Sequence, residues 1–161
     1  MPSYLSFARF YDGLMQDACY EKRCGYILEL AEKFRHDMGI TLDLACGTGT
    51  LTRLLKKRGV DVFGIDYSME MLSEAMQSAS EEGLDILFLR QKMQSIDLYG
   101  TINTCVCTLD SINHLTKIED VAKTFDRVGL FMDDDGLFIF DVNTVYKHKN
   151  VLADNTFVYE N

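Results

Sequence analysis

Leu42-Asp43-Leu44-Ala45-Cys46-Gly47-Thr48-Gly49-Thr50-Leu51-Thr52 is the stretch on which the fold of this chain turns. Ile40 to Ala45 is a short apolar run that suits a buried strand and is too short for a helix. It runs into a Gly-x-Gly turn, after which Thr50 to Arg58 predicts a helix stopped by Gly59. Glycine carries no Cβ, so the backbone at such a turn takes positive φ freely and can approach a ligand closely. Val60 to Ile65 predicts the next strand, closed by Asp66 nineteen residues after Gly47.

The same alternation continues outward. Ser68 is placed as a helix N-cap, with Met71 three residues on and Glu70 in the first turn. Leu72, Ala75, Met76 and Ala79 then mark the buried face of a helix ending near Gly83. Upstream, residues 20–37 carry Tyr26, Ile27, Leu30, Ala31 and Phe34 as an apolar stripe at helical spacing. Downstream, strands are predicted at Ile86 to Leu89, Ile102 to Thr108 and Leu137 to Val142. A helix over 118–131 turns Val121, Ala122, Phe125 and Val128 to one side, and Asp133-Asp134-Asp135-Gly136 reads as a solvated turn. Strands separated by helices imply right-handed crossovers and a sheet covered on both faces. The expected fold is α/β: a doubly wound, mostly parallel sheet with helices on both faces.

Residues 1–142 are expected to form one domain and 143–161 to begin a substrate-side extension. The final run Thr156-Phe157-Val158-Tyr159-Glu160-Asn161 alternates like a strand with no partner after it. On that reading the usual C-terminal strands are missing, and an open sheet edge is left through which two copies could pair as a homodimer.

Composition narrows the function classes. Of 161 residues, 47% are hydrophobic and 25% charged, as in a soluble globular domain. No apolar run approaches the roughly 20 residues that span a bilayer. Met1-Pro2-Ser3-Tyr4 has neither the basic nor the apolar part of a secretory signal, so a cytoplasmic location is expected. A net charge of −9 disfavours a nucleic-acid partner, which needs a concentrated basic face. The densest basic cluster, Lys56-Lys57-Arg58, falls at a predicted helix end, where cations complement the dipole. Five cysteines with no Cys-x-x-Cys pair argue against a disulfide framework and a zinc site, and no metal is expected. Cys105 and Cys107 would share one strand face as reduced core residues.

Strand, glycine turn, helix, second strand and terminal acid together form the pattern of an adenosine site at the carboxyl ends of the strands. An acid at Asp66 can accept hydrogen bonds from both hydroxyls of a ribose. The dinucleotide fingerprint requires a third glycine where Thr52 stands, and the branched Cβ of Thr52 would crowd close helix–strand packing. Asp43 adds an acid near a ligand that should then be cationic. Both features favour S-adenosylmethionine over NAD, which leaves an NAD-dependent oxidoreductase as the weaker alternative.

Here the chain resembles the class I S-adenosylmethionine-dependent methyltransferases. Asp43 to Gly49 is similar to the family's first motif, and Gly64-Ile65-Asp66-Tyr67-Ser68 with Met71-Leu72 to its second. Tyr4, Phe7, Ala8, Tyr11, Asp12, Leu14 and Met15 resemble the N-terminal lead of a bacterial subgroup, so the likeness runs from Tyr4 to about Val142. The resemblance implies that Ala45, Gly47 and Gly49 line the methionine and ribose portions of the cofactor, with Cys46 also among its contacts. Asp66 would bind the ribose hydroxyls, Tyr67 would pack against the adenine, Met71 would contact the cofactor, and the Met93 amide would meet the adenine edge. The Leu109 carbonyl would meet the cofactor's amino group, and Tyr11 and Arg23 would close over its methionine end. Lys92 departs from the family pattern: relatives carry an acid there to accept the adenine amine, and an ammonium only donates.

Methyl transfer needs a nucleophile in line at about 3–3.5 Å in a dry pocket, and a base only if the nucleophile arrives protonated. Asp110-Ser111-Ile112-Asn113-His114 follows the fourth strand on the side where a substrate would approach. His114, with an unperturbed pKa of about 6.5, is the candidate base, and Asp110 the second candidate catalytic residue. The plainer alternatives are a His114 that packs its turn and an Asp110 that orients its loop. The expected function is methyl transfer to an acceptor of small-molecule size. The competing class is a domain that binds S-adenosylmethionine without catalysis.

Overall fold

Thr41, Leu42, Asp43 and Leu44 are all buried, so strand β1 (Ile40–Leu44) lies in the middle of a sheet covered on both faces. The computed structural model describes residues 19–153. In it β1 pairs with β2 (Asp61–Asp66) on one side and with β4 (Ile102–Cys107) on the other. Strand β3 (Phe88–Arg90) lies beyond β2, and β5 (Met132–Phe140) beyond β4. Among the described residues every pairing is parallel, and the order is β3-β2-β1-β4-β5. The chain walks outward from β1 to β3 and then returns to the other side. This puts a switch point between the carboxyl ends of β1 and β4, where a crevice opens. The doubly wound parallel sheet is the one that the alternation predicts.

Among the described residues, four α-helices cover it: α1 (Tyr20–Lys33), α2 (Thr50–Lys57), α3 (Met69–Glu81) and α4 (Ile118–Phe131). The period of two sends Leu42, Leu44, Ile65, Cys105 and Cys107 to one face, against Ile96, Ile112 and, from α4, Val128. Val62 and Val106 take the opposite face, against Cys24 and Ile27 of α1 and Leu51 and Leu55 of α2. Asp43 lies between Leu42 and Leu44 in sequence and therefore points to this second face, toward α2.

Several boundaries differ from the sequence reading. Helix α1 stops at Lys33, not residue 37, because Arg35 turns to φ +53°. Its buried residues are Cys24, Ile27 and Ala31, whereas Tyr26 and Phe34 are exposed. Met76 and Phe125 are likewise partly exposed, and Phe125 instead contacts Phe138 and Phe140 with ring centroids 5.4 and 5.2 Å away. Strand β3 begins at Phe88, not Ile86. The acidic turn does not precede β5 but belongs to it. Ile102 pairs with Met132 and Thr104 with Leu137, so Asp133 to Gly136 bulge out of the ladder. The Ser68 cap is present, its Oγ accepting from the Met71 amide at 3.3 Å. Among the described residues, no helix is long and apolar enough to cross a membrane. The strand expected at 156–161 and the aromatic lead at Tyr4 to Tyr11 lie outside the described residues.

Gly49 fixes the start of α2. Its φ is +70°, and a Cβ there would sit 3.0 Å from Ala75 Cβ and 3.0 Å from Phe88 Cζ. Gly49→Ala is expected to cost about 1–2 kcal/mol, from the left-handed backbone and the crowding together, measured by urea unfolding. An unchanged midpoint would show that the turn relaxes freely.

Candidate active site at the switch point

The turn after β1 is built from left-handed residues: Ala45 at φ 61°, Gly47 at 55° and Gly49 at 70°. The Cys46 amide continues the β1–β2 ladder to Ile65 O at 3.0 Å, and the chain then bends toward the end of β2. There the Gly47 amide donates to Asp66 Oδ2 at 3.0 Å, and the Ser68 amide to Asp66 Oδ1 at 2.8 Å. Glycine turn and terminal acid are thus in direct contact. Among the described residues each carboxylate oxygen accepts one protein bond, which leaves it capacity for another. A Cβ on Gly47 would meet nothing within 4 Å, so this glycine borders open space, unlike Gly49.

Asp43, Ala45, Cys46, Gly47, Thr48 and Leu51 line one side of a small cleft, and Thr108, Leu109 and Ser111 the other, with Tyr20 of α1 above. Asp43 is 2% exposed, and Thr52 Oγ1 donates to its Oδ2 at 2.6 Å. The third-glycine position of a dinucleotide site is used here to hold the first motif's acid. Burial raises the Asp43 pKa to about 7, against the pull of the Thr52 hydroxyl and with a smaller push from Asp66. Burial, Asp43 and Asp66 also hold the Cys46 thiol well above its usual range, which disfavours the nucleophilic thiolate. Thr52→Val is expected to destabilise the chain by about 1–2 kcal/mol above pH 7, where an ionised Asp43 would lose its donor. Denaturation at pH 8 checks this, and a silent substitution would mean that water replaces the hydroxyl.

Beyond the cleft, Leu109 and Asp110 both have positive φ, 59° and 61°, a conformation that non-glycine residues adopt rarely. Both amides donate to one carboxylate, Leu109 N to Asp141 Oδ2 at 3.1 Å and Asp110 N to Asp141 Oδ1 at 2.8 Å. Arg23 of α1 reaches the same Asp141 Oδ2 with Nη1 at 2.5 Å. Asp141 was not among the residues singled out in the sequence. It follows β5 with no glycine or repeat to mark it, and its partners lie 31 to 118 residues away. Arg23 Nε is buried and has no hydrogen-bond partner among the described residues.

The other expected site residues are distributed around this centre. Tyr67 is half exposed, with Lys92 Nζ 4.9 Å and Arg90 Cζ 5.3 Å from its ring centroid. Lys92 is thus engaged by an aromatic face, and its carbonyl accepts from Ser95. Met93 opens the short 3-10 turn Met93–Ser95 and packs partly buried against the core. Met71 has its amide capped by Ser68. Asp110 Oδ2 accepts from Asn143 Nδ2 at 2.7 Å and lies 3.7 Å from Lys147 Nζ, while His114 is exposed at the end of the turn Ser111–His114. Neither lines the cleft. Tyr11 lies outside the described residues.

Residues 41–136 match the family model described as a methyltransferase domain. The chain belongs to the class I S-adenosylmethionine-dependent methyltransferases. This methyltransferase domain is 40% identical over 156 residues to YqeM of Bacillus subtilis (strain 168), covering 96% of the chain and 61% of that protein. A crystal structure of an S-adenosylmethionine-dependent methyltransferase from Clostridium acetobutylicum ATCC 824 superposes with a TM-score of 0.86 at 34% identity. That match covers 98% of the chain and 65% of the crystal chain. CalS10, an amino pentose methyltransferase from Micromonospora echinaspora solved with S-adenosylmethionine bound, shares the fold at 17% identity. Its TM-score is 0.75, over 83% of the chain and 56% of CalS10. The methyltransferase domain described here therefore spans less than two thirds of the length of each of these proteins.

Proposed function

We propose that this chain binds S-adenosylmethionine and serves the transfer of its methyl group by in-line displacement to a small-molecule acceptor. The observation that carries the reading is the contact between the Gly47 amide and Asp66, which gathers glycine turn and carboxylate around one crevice. The Nε–H of Arg23, buried without a partner among the described residues, supports it from the other end, since a ligand carboxylate would satisfy that donor. S-adenosylmethionine, when bound, supplies a methyl group already activated on a sulfonium, so the protein need only bind, orient and exclude water.

In this reading Asp66 takes the ribose hydroxyls on its free lone pairs, and Gly47 leaves room for the ligand because no Cβ enters the cleft. The Tyr67 ring, steadied by Arg90 and Lys92, flanks the adenine, with Met71 and the Met93 amide at its edge. Asp43 offers a carboxylate toward a cation, and the Leu109 carbonyl accepts from the ligand's ammonium. His114 is the candidate proton acceptor for an acceptor substrate that arrives protonated, with Asp110 ordering its loop. The chain's charge of −9 favours a small molecule over a polyanion. The sugar acceptor in the name of CalS10 points the same way.

Calorimetry with S-adenosylmethionine, S-adenosylhomocysteine and NAD tests the first half of the reading. Binding of the two sulfur ligands and not of NAD is expected. Methyl transfer from labelled cofactor across a panel of small amines and alcohols tests the second half. Product from none of them, with cofactor bound, would favour a domain that binds S-adenosylmethionine without catalysis.

A further inference from the structure

We infer that Asp141 is a positioning residue for the amino-acid end of the cofactor, acting through Leu109 and Arg23. The inference rests on the cofactor site proposed above. The amide of Asp110 and the carbonyl of Leu109 belong to one trans peptide, in which N–H and C=O point in opposite directions. Fixing the Asp110 amide on Asp141 Oδ1 at 2.8 Å therefore turns the Leu109 carbonyl away from Asp141. Leu109 lines the cleft, and its own amide is held on Asp141 Oδ2 at 3.1 Å. The strained left-handed pair Leu109-Asp110 is thus pinned at both amides by a single carboxylate.

The same carboxylate takes Arg23 Nη1. Arg23 is one helical turn from Tyr20, which lines the cleft, and its Nε–H is buried without a partner among the described residues. Asp141 therefore sets two groups of opposite polarity, a carbonyl acceptor and a guanidinium donor. An α-amino acid offers the complementary pair, an ammonium and a carboxylate. The clamp discriminates between a nucleoside carrying a whole amino acid and one that has lost it.

The test compares S-adenosylhomocysteine, which keeps the amino-acid end, with 5′-methylthioadenosine, which lacks it. Asp141→Asn and Arg23→Gln are each titrated with both ligands, beside Asp66→Ala as the control for the shared ribose, with folding checked by circular dichroism. Each clamp variant is expected to bind S-adenosylhomocysteine about tenfold more weakly and methylthioadenosine within about twofold of the parent, as loss of a charge-assisted contact implies. Arg23→Gln carries the test alone if Asp141→Asn does not fold. Equal losses for both ligands would mark a purely structural role and overturn the clamp. So would unchanged S-adenosylhomocysteine affinity while Asp66→Ala weakens both ligands. If the parent chain binds neither ligand, the cofactor site itself is wrong and the clamp falls with it.

Discussion

Raising the pH from about 4 to about 8 is expected to remove about 4 kcal/mol of folding stability through Asp43 alone. In the unfolded chain this carboxyl titrates near its ordinary value of 3.8, whereas in the folded chain burial raises it to about 7. Between those values the folded state holds a proton that the unfolded state has released, so stability falls as pH rises. The contribution is fully present below 3.8, declines up to about 7 and is flat above. Asp43→Asn keeps the shape and an acceptor for Thr52 but cannot ionise. Urea unfolding of both proteins across this range isolates the effect, because every other group titrates in both. The parent should lose ground to the variant by about 4 kcal/mol, and parallel curves would show that Asp43 is solvated as well in the fold as out of it. A cationic ligand beside Asp43 should reverse the trend, and its binding near pH 7 should release a proton.

Asp66→Ala is expected to weaken S-adenosylhomocysteine binding by about 2–3 kcal/mol, roughly 30- to 150-fold. Two losses combine. The ribose hydroxyls lose their charged acceptor, and the Gly47 amide loses the carboxylate that holds it at 3.0 Å, so the turn is no longer set before the ligand arrives. The Ser68 amide loses its partner too, but Ser68 Oγ still caps α3 through Met71, so the helix should survive. Calorimetry on the variant decides the matter. Unchanged affinity in a folded protein would remove Asp66 from the site, and with it the main support for the reading of function.

What could be read from the sequence was what is local. The apolar run Ile40 to Ala45, the glycines behind it and the acid at position 66 lie within one βαβ unit, and short-range pattern rules govern such units. The N-cap at Ser68 was legible for the same reason, since donor and acceptor are three residues apart. Arg23 and Asp141 meet across 118 residues, and no periodicity reports such a contact. Thr52 was legible only in part. Its branched side chain spoke against a dinucleotide, but its hydrogen bond to Asp43 depended on α2 settling against the face to which Asp43 points. The start of β5 was misplaced because three consecutive aspartates look like a turn. Asn103 Nδ2, donating to Asp133 Oδ2 at 2.9 Å, helps hold the bulge within the strand.

That bulge lies on the rim opposite the crevice, where β4 and β5 begin, and Asp134 and Asp135 on it are exposed. Its backbone has already left the ladder, so a few added residues or a grafted label at this point would disturb no sheet hydrogen bond. A fluorophore attached there could report on ligand capture without competing for space with the ligand.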